Sequence, residues 1–177
     1  MQIFPVPIVM ALAELVGVHF VEALGSGEFA GDIHKDLMQQ FEDGKAMMHR
    51  KWPNAGLIAY FQAYTNTYAP LHVLKDTFDP FVERDDILAI SIATRADCLE
   101  DDTIAYLQSL TKKKEIWVEL GLQSVHDETA KRVNRGHTYA QFVSCIKKLA
   151  KTDIKIAVHL INSLPYETKD EMLESAD

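Results

Sequence analysis

Extended apolar runs alternate with segments of helical periodicity along most of this chain, and this alternation restricts its fold more than any other feature. The runs are rich in β-branched and aromatic residues, and each ends in a polar cluster. They read AGLIAYFQAYTN (55–66), ILAISIATR (87–95), EIWVELGLQS (115–124) and IKIAVHLIN (154–162). Helical spacing of apolar residues marks HKDLMQQFEDGKAMMHRKW (34–52), LEDDTIAYLQSLTKKK (99–114) and TYAQFVSCIKKLAK (138–151). This order predicts an α/β fold with a parallel sheet, either half of a doubly wound sheet or an arc of a barrel.

Charge and cysteine content exclude several functional classes. The net charge is -8, with 26 acidic residues against 18 lysines and arginines, which argues against a nonspecific nucleic-acid binder. Cys98 and Cys145 are too few and too far apart for a disulfide framework or a zinc site. Reduced thiols favour a cytoplasmic location.

The opening stretch VPIVMALAELVGVHFVEALGSGEFAGD (6–32) changes from an apolar ribbon to a glycine-rich turn. Residues 3–24 are long enough to span a bilayer, which needs about 20 apolar residues. The same stretch contains two prolines and the acids Glu14 and Glu22, and no lysine or arginine precedes it. No membrane contact is therefore expected, and a membrane-anchored partner protein is kept as an alternative.

Polar side chains cluster where the predicted strands end. In a parallel sheet these carboxyl ends share one edge, where ligands bind. The candidate residues are Gln62, Tyr64, Thr65, Asn66, Thr94, Arg95, Glu119 and Gln123. They suit a small ligand with ribose hydroxyls, an amino group and a carboxylate. The competing interpretation is that such residues cap helices and close turns, as we expect of Asp127 and Thr138.

Three histidines give no comparable signal. His126, His137 and His159 lack the spacing of a helical metal-binding pair, so each is interpreted as a structural residue. The glycine-rich GSGEFAG (25–31) lacks the lysine and hydroxyl of a phosphate-binding loop. No metal site is predicted.

Six strings carry a family resemblance, in order and spacing: GSGEFAGD, YFQAYTNTYAP, SIATRADCL, WVELGLQSVHDET, NRGH and VHLINSLPYET. Over residues 25–177 the chain resembles the uncharacterised iron–sulfur oxidoreductase branch of bacterial radical SAM proteins. This branch is related to oxygen-independent coproporphyrinogen oxidase and Elongator-type enzymes. The resemblance implies a partial (βα)6 TIM-like barrel, incomplete at both ends, that binds S-adenosylmethionine beside a [4Fe-4S] cluster. Intact relatives would cleave that cofactor reductively to a 5'-deoxyadenosyl radical.

The resemblance also implies roles for individual residues. QAYTNT (62–67) occupies the place where such proteins hold the methionine amino group, while Gln123 and Arg135 match ribose and carboxylate contacts. Ser163 and Tyr166 stand where relatives often have glycine, and the tyrosine is expected to crowd the adenine side of the pocket.

The resemblance fails at the cluster-binding loop. Three valines, Val6, Val18 and Val21, occupy the places of the expected cysteines, and valine cannot ligate iron. A shift of reading frame by one base converts a GT valine codon preceded by T into the cysteine codon TGT. Residues 6–12 can then read CPNRDGT and residues 15–24 AGGCTFCRSA.

This pattern leads to the hypothesis that a frameshift produced the apolar ribbon. Residues 1–24 are therefore predicted to be an aberrant segment, disordered, helical or docked on the open sheet, and residues 25–177 a partial barrel. The chain is expected to lack the cluster and to be inactive. A ligand-binding module without catalysis is the other alternative.

Overall fold

The computed structural model describes residues 8–12, 35–62 and 65–177 of the chain, and only the backbone of residues 8–12. The strands are β1 (Ile8–Leu12), β2 (Leu57–Phe61), β3 (Ile87–Thr94), β4 (Glu115–Gln123) and β5 (Lys155–Leu160). The helices are α1 (Leu37–Lys51), α2 (Leu71–Val82), α3 (Asp101–Leu110), α4 (Asp127–Arg132), α5 (Tyr139–Leu149) and α6 (Lys169–Ala176), with a short 3-10 turn at Ala96–Cys98. All the predicted strands and helices are present, and β1, α2 and α4 are additional.

The described sheet has the order β1-β2-β3-β4-β5. Its last four strands are mutually parallel, which confirms the predicted α/β architecture. The strand order follows the chain without reversal, which is the arrangement of a barrel arc and not of a doubly wound sheet. The four carboxyl ends therefore lie along one edge.

β1 pairs antiparallel with β2, with Ile8 opposite Phe61. Docking on the open sheet was one of the arrangements expected for the N-terminal segment, and it holds for residues 8–12. The rest of that segment, and with it the proposed boundary at residue 24, lies outside the described residues. Within the described ranges, no helix is long and apolar enough to cross a membrane.

Aromatic side chains form the core between the sheet and its first two helices. Phe61 of β2 packs edge-to-face against Phe78 and Phe81 of α2, with ring centroids 4.9 and 5.2 Å apart. Phe81 in turn contacts Phe41 of α1 at 5.7 Å. All four rings are buried. This packing fixes β2 against two helices and so holds the first strand end of the ligand edge in place.

The two predicted capping residues have different outcomes. Thr138 is the N-cap of α5 and forms a full capping box with Gln141, as predicted. Asp127 does not cap α4, whose N-cap position is His126. Instead, Asp127 Oδ1 accepts a hydrogen bond of 2.7 Å from the amide of Tyr139 at the start of α5. Asp127 therefore provides a hydrogen-bond acceptor for the N-terminus of α5 instead of α4.

Candidate ligand site at the strand ends

A cavity of about 400 Å³ opens at the carboxyl ends of the parallel strands. Its volume lies in the range of roughly 300–1,000 Å³ that is usual for small-molecule sites. It is lined by Tyr60, Gln62, Thr65, Ala93, Thr94, Arg95, Glu119, Gly121, Gln123, Arg135 and His159. The structure thus brings most of the predicted residues together, from all four parallel strands and the loops after them.

Two predicted residues are not among those that line it. Asn66 is buried beside the cavity, where its Nδ2 donates to the carbonyl of Phe61 at 3.0 Å and that of Ala93 at 2.8 Å. It therefore ties the end of β2 to that of β3 and shapes the wall from behind. Tyr64 lies outside the described residues, so its role stays a prediction.

Gln123 ends β4 in an unusual conformation. Its φ is 74°, in the left-handed region that non-glycine residues rarely adopt, and the pairing of β4 with β5 shifts between Gly121 and Gln123. Its side-chain Oε1 is buried and has no hydrogen-bond partner among the described residues. A buried acceptor without a partner costs about 1–3 kcal/mol, so strain and an open acceptor coincide at one cavity residue.

Arg135 crosses the cavity wall over Gly121. Its Nε donates to the Gly121 carbonyl at 3.0 Å, and its Nη2 donates to the same oxygen. A Cβ at Gly121 would lie 2.6 Å from Arg135 Nη2, so glycine is required for this approach. Burial, followed by the positive charge of Arg95, lowers the pKa of Arg135. Within the described part of the chain no carboxylate pairs with Arg135, so its charge remains available to an anion.

Arg95 is a second guanidinium at the same edge, but it has a partner. Its Nε donates to Asp97 Oδ1 at 2.9 Å, and its Nη2 forms an ion pair with the other oxygen of that carboxylate. Burial would raise the pKa of Asp97, but the hydrogen bond from Arg95 outweighs burial and holds that pKa below its ordinary value. Gly136, at φ 90°, lets Arg95 pass, since a Cβ there would lie 2.7 Å from Arg95 Nη2. Asp97 therefore neutralises Arg95, and among the described residues Arg135 is the arginine of this edge that has no carboxylate partner.

Glu119 lies deeper in the cavity and accepts hydrogen bonds from three strands. Its Oε2 accepts from Tyr60 Oη at 2.8 Å and lies 2.9 Å from His159 Nε2, and its Oε1 accepts from Ser91 Oγ at 2.5 Å. Burial alone would raise the pKa of Glu119, but the hydrogen bonds from His159, Ser91 and Tyr60 hold it below its ordinary value. The hydrogen bond between His159 and Glu119 is also the main cause of the raised pKa of His159. The carboxylate is therefore ionised and fixed in position.

The sequence interpretation missed Tyr60 and His159, which line the cavity, and Ser91, which donates a hydrogen bond to Glu119. The available signal was a polar residue inside an otherwise apolar strand, as with Ser91 in ILAISIAT and His159 in KIAVHL. The structural interpretation of His159 was incomplete, because its partner Glu119 lies 40 residues away along the chain.

Ser163 and Tyr166 stand at positions where relatives often have glycine. Ser163 and Tyr166 both have φ 65°, so the backbone keeps at these positions the left-handed conformation that glycine adopts most easily. The expectation that Tyr166 crowds the cavity is wrong, because its side chain is 88% exposed and does not line the cavity.

Comparisons with known proteins agree on one family. The Radical SAM superfamily model matches residues 48–177. The chain is 49% identical over 160 residues to "Uncharacterized protein YtqA" of Bacillus subtilis, covering 90% of this chain and 50% of that protein. It is 34% identical over 148 residues to "Protein YhcC" of Escherichia coli K12, covering 81% of this chain and 46% of that protein. The chain spans about half the length of these curated relatives.

A solved structure shows the same fold. Archaeal Elp3 from Methanocaldococcus infernus, with an N-terminal deletion, superposes with a TM-score of 0.64 over 77% of this chain and 36% of its own, at 19% identity. At this identity the likeness concerns the fold alone, and it agrees with the α/β architecture described above. Since the family model covers well over half of the sequence, the chain belongs to the radical SAM superfamily.

Proposed function

We propose that the cavity binds S-adenosylmethionine weakly and that this chain, as its sequence stands, does not cleave it. The observation that carries the proposal is a pair of groups that have no ligand-like partner among the described residues: the buried Oε1 of Gln123 and, beside it, the guanidinium of Arg135. An open acceptor next to an unpaired cation suits a molecule that carries both ribose hydroxyls and a carboxylate. Members of the superfamily use such a molecule as their cofactor.

The roles of the cavity residues follow from their chemistry. Gln123 accepts from a ribose hydroxyl, and Arg135, assisted by Arg95, holds the carboxylate. Gln62 and Thr65, together with Tyr64, hold the methionine amino group. Thr94 completes the wall between these regions. Glu119 provides a fixed negative charge opposite the cationic part of the ligand.

The residues present do not fit the iron–sulfur cluster. A [4Fe-4S] cluster is held by cysteine thiolates, which intact relatives supply from one loop. The whole sequence has two cysteines. Both are buried, with Cys98 after β3 and Cys145 within α5. In the described ranges no group of three histidine, cysteine or acidic side chains could hold a metal. When bound, the cluster supplies the electron that cleaves the sulfonium, so we propose no cleavage by this chain.

A frameshift accounts for the missing ligands, given suitable third bases in the codons. The valines at positions 6, 18 and 21 can all become cysteines in the shifted frame, and the recovered loop then joins GSGEFAGD in register. We propose that the intact protein is a cytoplasmic iron–sulfur oxidoreductase related to oxygen-independent coproporphyrinogen oxidase, because Gln123 and Arg135 occupy the matching positions. No nucleic-acid partner is proposed, given the charge of -8.

Binding of S-adenosylmethionine to the purified chain tests the proposal directly. Each contact contributes about 1 kcal/mol net, and immobilising the ligand costs roughly 4–15 kcal/mol, so we expect a Kd of order 1 mM. Nuclear magnetic resonance titration should show amide shifts at Gln123 and Arg135. Gln123→Ala should weaken the binding free energy by about 1 kcal/mol, which raises the Kd roughly fivefold.

A matched control and two contrary outcomes complete this test. Gln108→Ala removes an amide from α3, where it bonds Asp153 away from the cavity, and should leave the Kd unchanged. Equal effects of the two variants would contradict a site at Gln123. Micromolar affinity would instead favour a dedicated binding module that needs no cluster.

A further inference from the structure

We propose that His159, oriented by Glu119, is a proton-exchanging residue of the cavity that acts on an acidic O–H or N–H group of the bound molecule. The identity of that molecule rests on the proposed function, whereas the geometry of the pair does not. His159 lies on β5 opposite Gly121, and Glu119 lies two residues earlier on β4. Both side chains line the same cavity.

The hydrogen bond between them fixes the tautomer of His159. Because Glu119 is ionised and can only accept, the Nε2 of His159, 2.9 Å from Oε2, carries the proton. The neutral ring therefore has its lone pair on Nδ1. In the described part of the chain no group bonds that nitrogen, and the His159 side chain is 37% exposed. A basic nitrogen is thus left without a partner among the described residues, on a side chain that lines the cavity.

The carboxylate is itself rigidly placed. Tyr60 from β2 and Ser91 from β3 both donate to Glu119, whose side chain is only 17% exposed. These bonds keep Glu119 from rotating towards solvent, so the histidine ring is held in one orientation. The arrangement is a base with a buried carboxylate behind it, a recurrent design for proton transfer.

The other charged groups around His159 are also defined. Tyr60 and Glu119 face it from β2 and β4, and the cationic Arg95 and Arg135 line the remaining wall. The hydrogen bond to Glu119 favours protonation of the ring most strongly, burial opposes it, and the negative charge of Glu119 favours it further. The raised pKa of His159 agrees with this balance.

The proposed step conserves atoms and charge. Nδ1 of neutral His159 takes the proton from the ligand group, the O–H or N–H bond breaks, and its electron pair stays on the ligand. The resulting imidazolium is stabilised by the Glu119 carboxylate, and the reverse transfer returns the proton. No oxidant or reductant takes part.

The test follows the histidine ring nitrogens by nuclear magnetic resonance between pH 5 and 9, using the full chain and assigning His159 by His159→Gln. We expect the Nε2–H tautomer in the neutral ring and a titration midpoint above the ordinary value. Glu119→Gln should lower the midpoint. Ser91→Ala, a milder variant that removes one bond to Glu119, should shift the midpoint by less than Glu119→Gln does. The control Glu174→Gln, beside His126, should leave the midpoint of His159 unchanged.

Two further readouts connect the ring to the cavity. Diethyl pyrocarbonate should modify His159 at neutral pH, and S-adenosylmethionine added at millimolar concentration should shift its ring signals. The proposal is overturned by an Nδ1–H tautomer, by a midpoint insensitive to both variants, or by an unreactive ring. It is also overturned if the ligand shifts Gln123 but not His159. If the ligand shifts neither residue, the proposed function fails, and the titration and modification still decide the proposal for His159.

Discussion

Individual residues at the end of β4 and in the loop after β5 are held in conformations that cost free energy. Gln123, Ser163 and Tyr166 all have positive φ without being glycine. A left-handed conformation costs an ordinary residue roughly 1–2 kcal/mol. At Gln123 this strain places a side-chain acceptor in the cavity, which gives it a functional reason. At Tyr166 the side chain meets solvent, and nothing in the cavity depends on it.

Tyr166→Gly is therefore expected to stabilise the fold. Removing the left-handed strain gains roughly 1–2 kcal/mol and the added backbone freedom of glycine costs about 0.5–1 kcal/mol, so the net gain is about 0.5–1 kcal/mol. Urea unfolding of both chains measures the difference. Tyr68, 70% exposed and without positive φ, gives the matched control, since Tyr68→Gly should only destabilise. A loss of stability in Tyr166→Gly would show that the ring has packing partners.

The Glu119–His159 pair makes stability depend on pH in a defined direction. His159 has a raised pKa in the folded state, so its contribution is complete below the unfolded value of 6.5 and is lost as pH rises through the folded value. Glu119 has a lowered pKa, so its contribution is present above 4.5 and is lost as pH falls through its folded value. The pair should therefore stabilise most between these two unfolded pKa values. Urea midpoints across pH 4–9 should decline on both sides in the wild type, and the part due to the pair should vanish in Glu119→Gln.

At the scale of elements, the helix ends are set by local side chains. Thr138 caps α5, and its side-chain oxygen accepts a hydrogen bond from the backbone amide of Gln141. Asp127 accepts a hydrogen bond from the backbone amide of Tyr139, the first residue of α5. Two amides of the first turn thus find side-chain partners, which fixes the start of α5 directly after the loop that carries Arg135.

Thr138→Ala should cost about 1 kcal/mol of stability, the usual value for a lost N-cap. Thermal and urea unfolding measure it. Ser144→Ala, at an exposed interior position of α5, is the control and should change stability by no more than about 0.5 kcal/mol. If the two variants behave alike, the capping box does not set the stability of α5.

The elements that could be predicted from the sequence are those that their own residues mark. The parallel strands were found because each is a continuous apolar run with a polar end. α2 was missed because Pro80 lies inside it and proline is normally excluded from helix interiors. β1 was missed because its pairing with β2 depends on residues far along the chain. The same reason hid His159, whose partner Glu119 belongs to a neighbouring strand.

At the scale of the whole molecule, the described sheet is an open arc with a ligand edge and no cluster ligands. β5 leaves Val158 and Leu160 partly exposed, as expected of a barrel sheet that is not closed. β1 covers the opposite side by pairing with β2. In the shifted reading frame residues 8–12 would read NRDGT, a turn-forming sequence that does not favour a strand. The frameshift hypothesis thus changes the edge of the sheet as well as the cofactor chemistry.

Restoring the shifted segment should restore a cluster. The variant replaces residues 6–12 by CPNRDGT and residues 15–24 by AGGCTFCRSA, which puts cysteines at positions 6, 18 and 21. Reconstituted anaerobically with iron and sulfide, it should gain visible absorbance and bind about four irons per chain, because the chain then supplies three thiolates as cluster ligands. The matched control carries serine at the same three positions, and the unaltered chain should stay colourless. Iron content equal to that of the serine control would contradict the hypothesis. So would gene sequencing across codons 5–25 that shows valine codons with no shifted reading as cysteine.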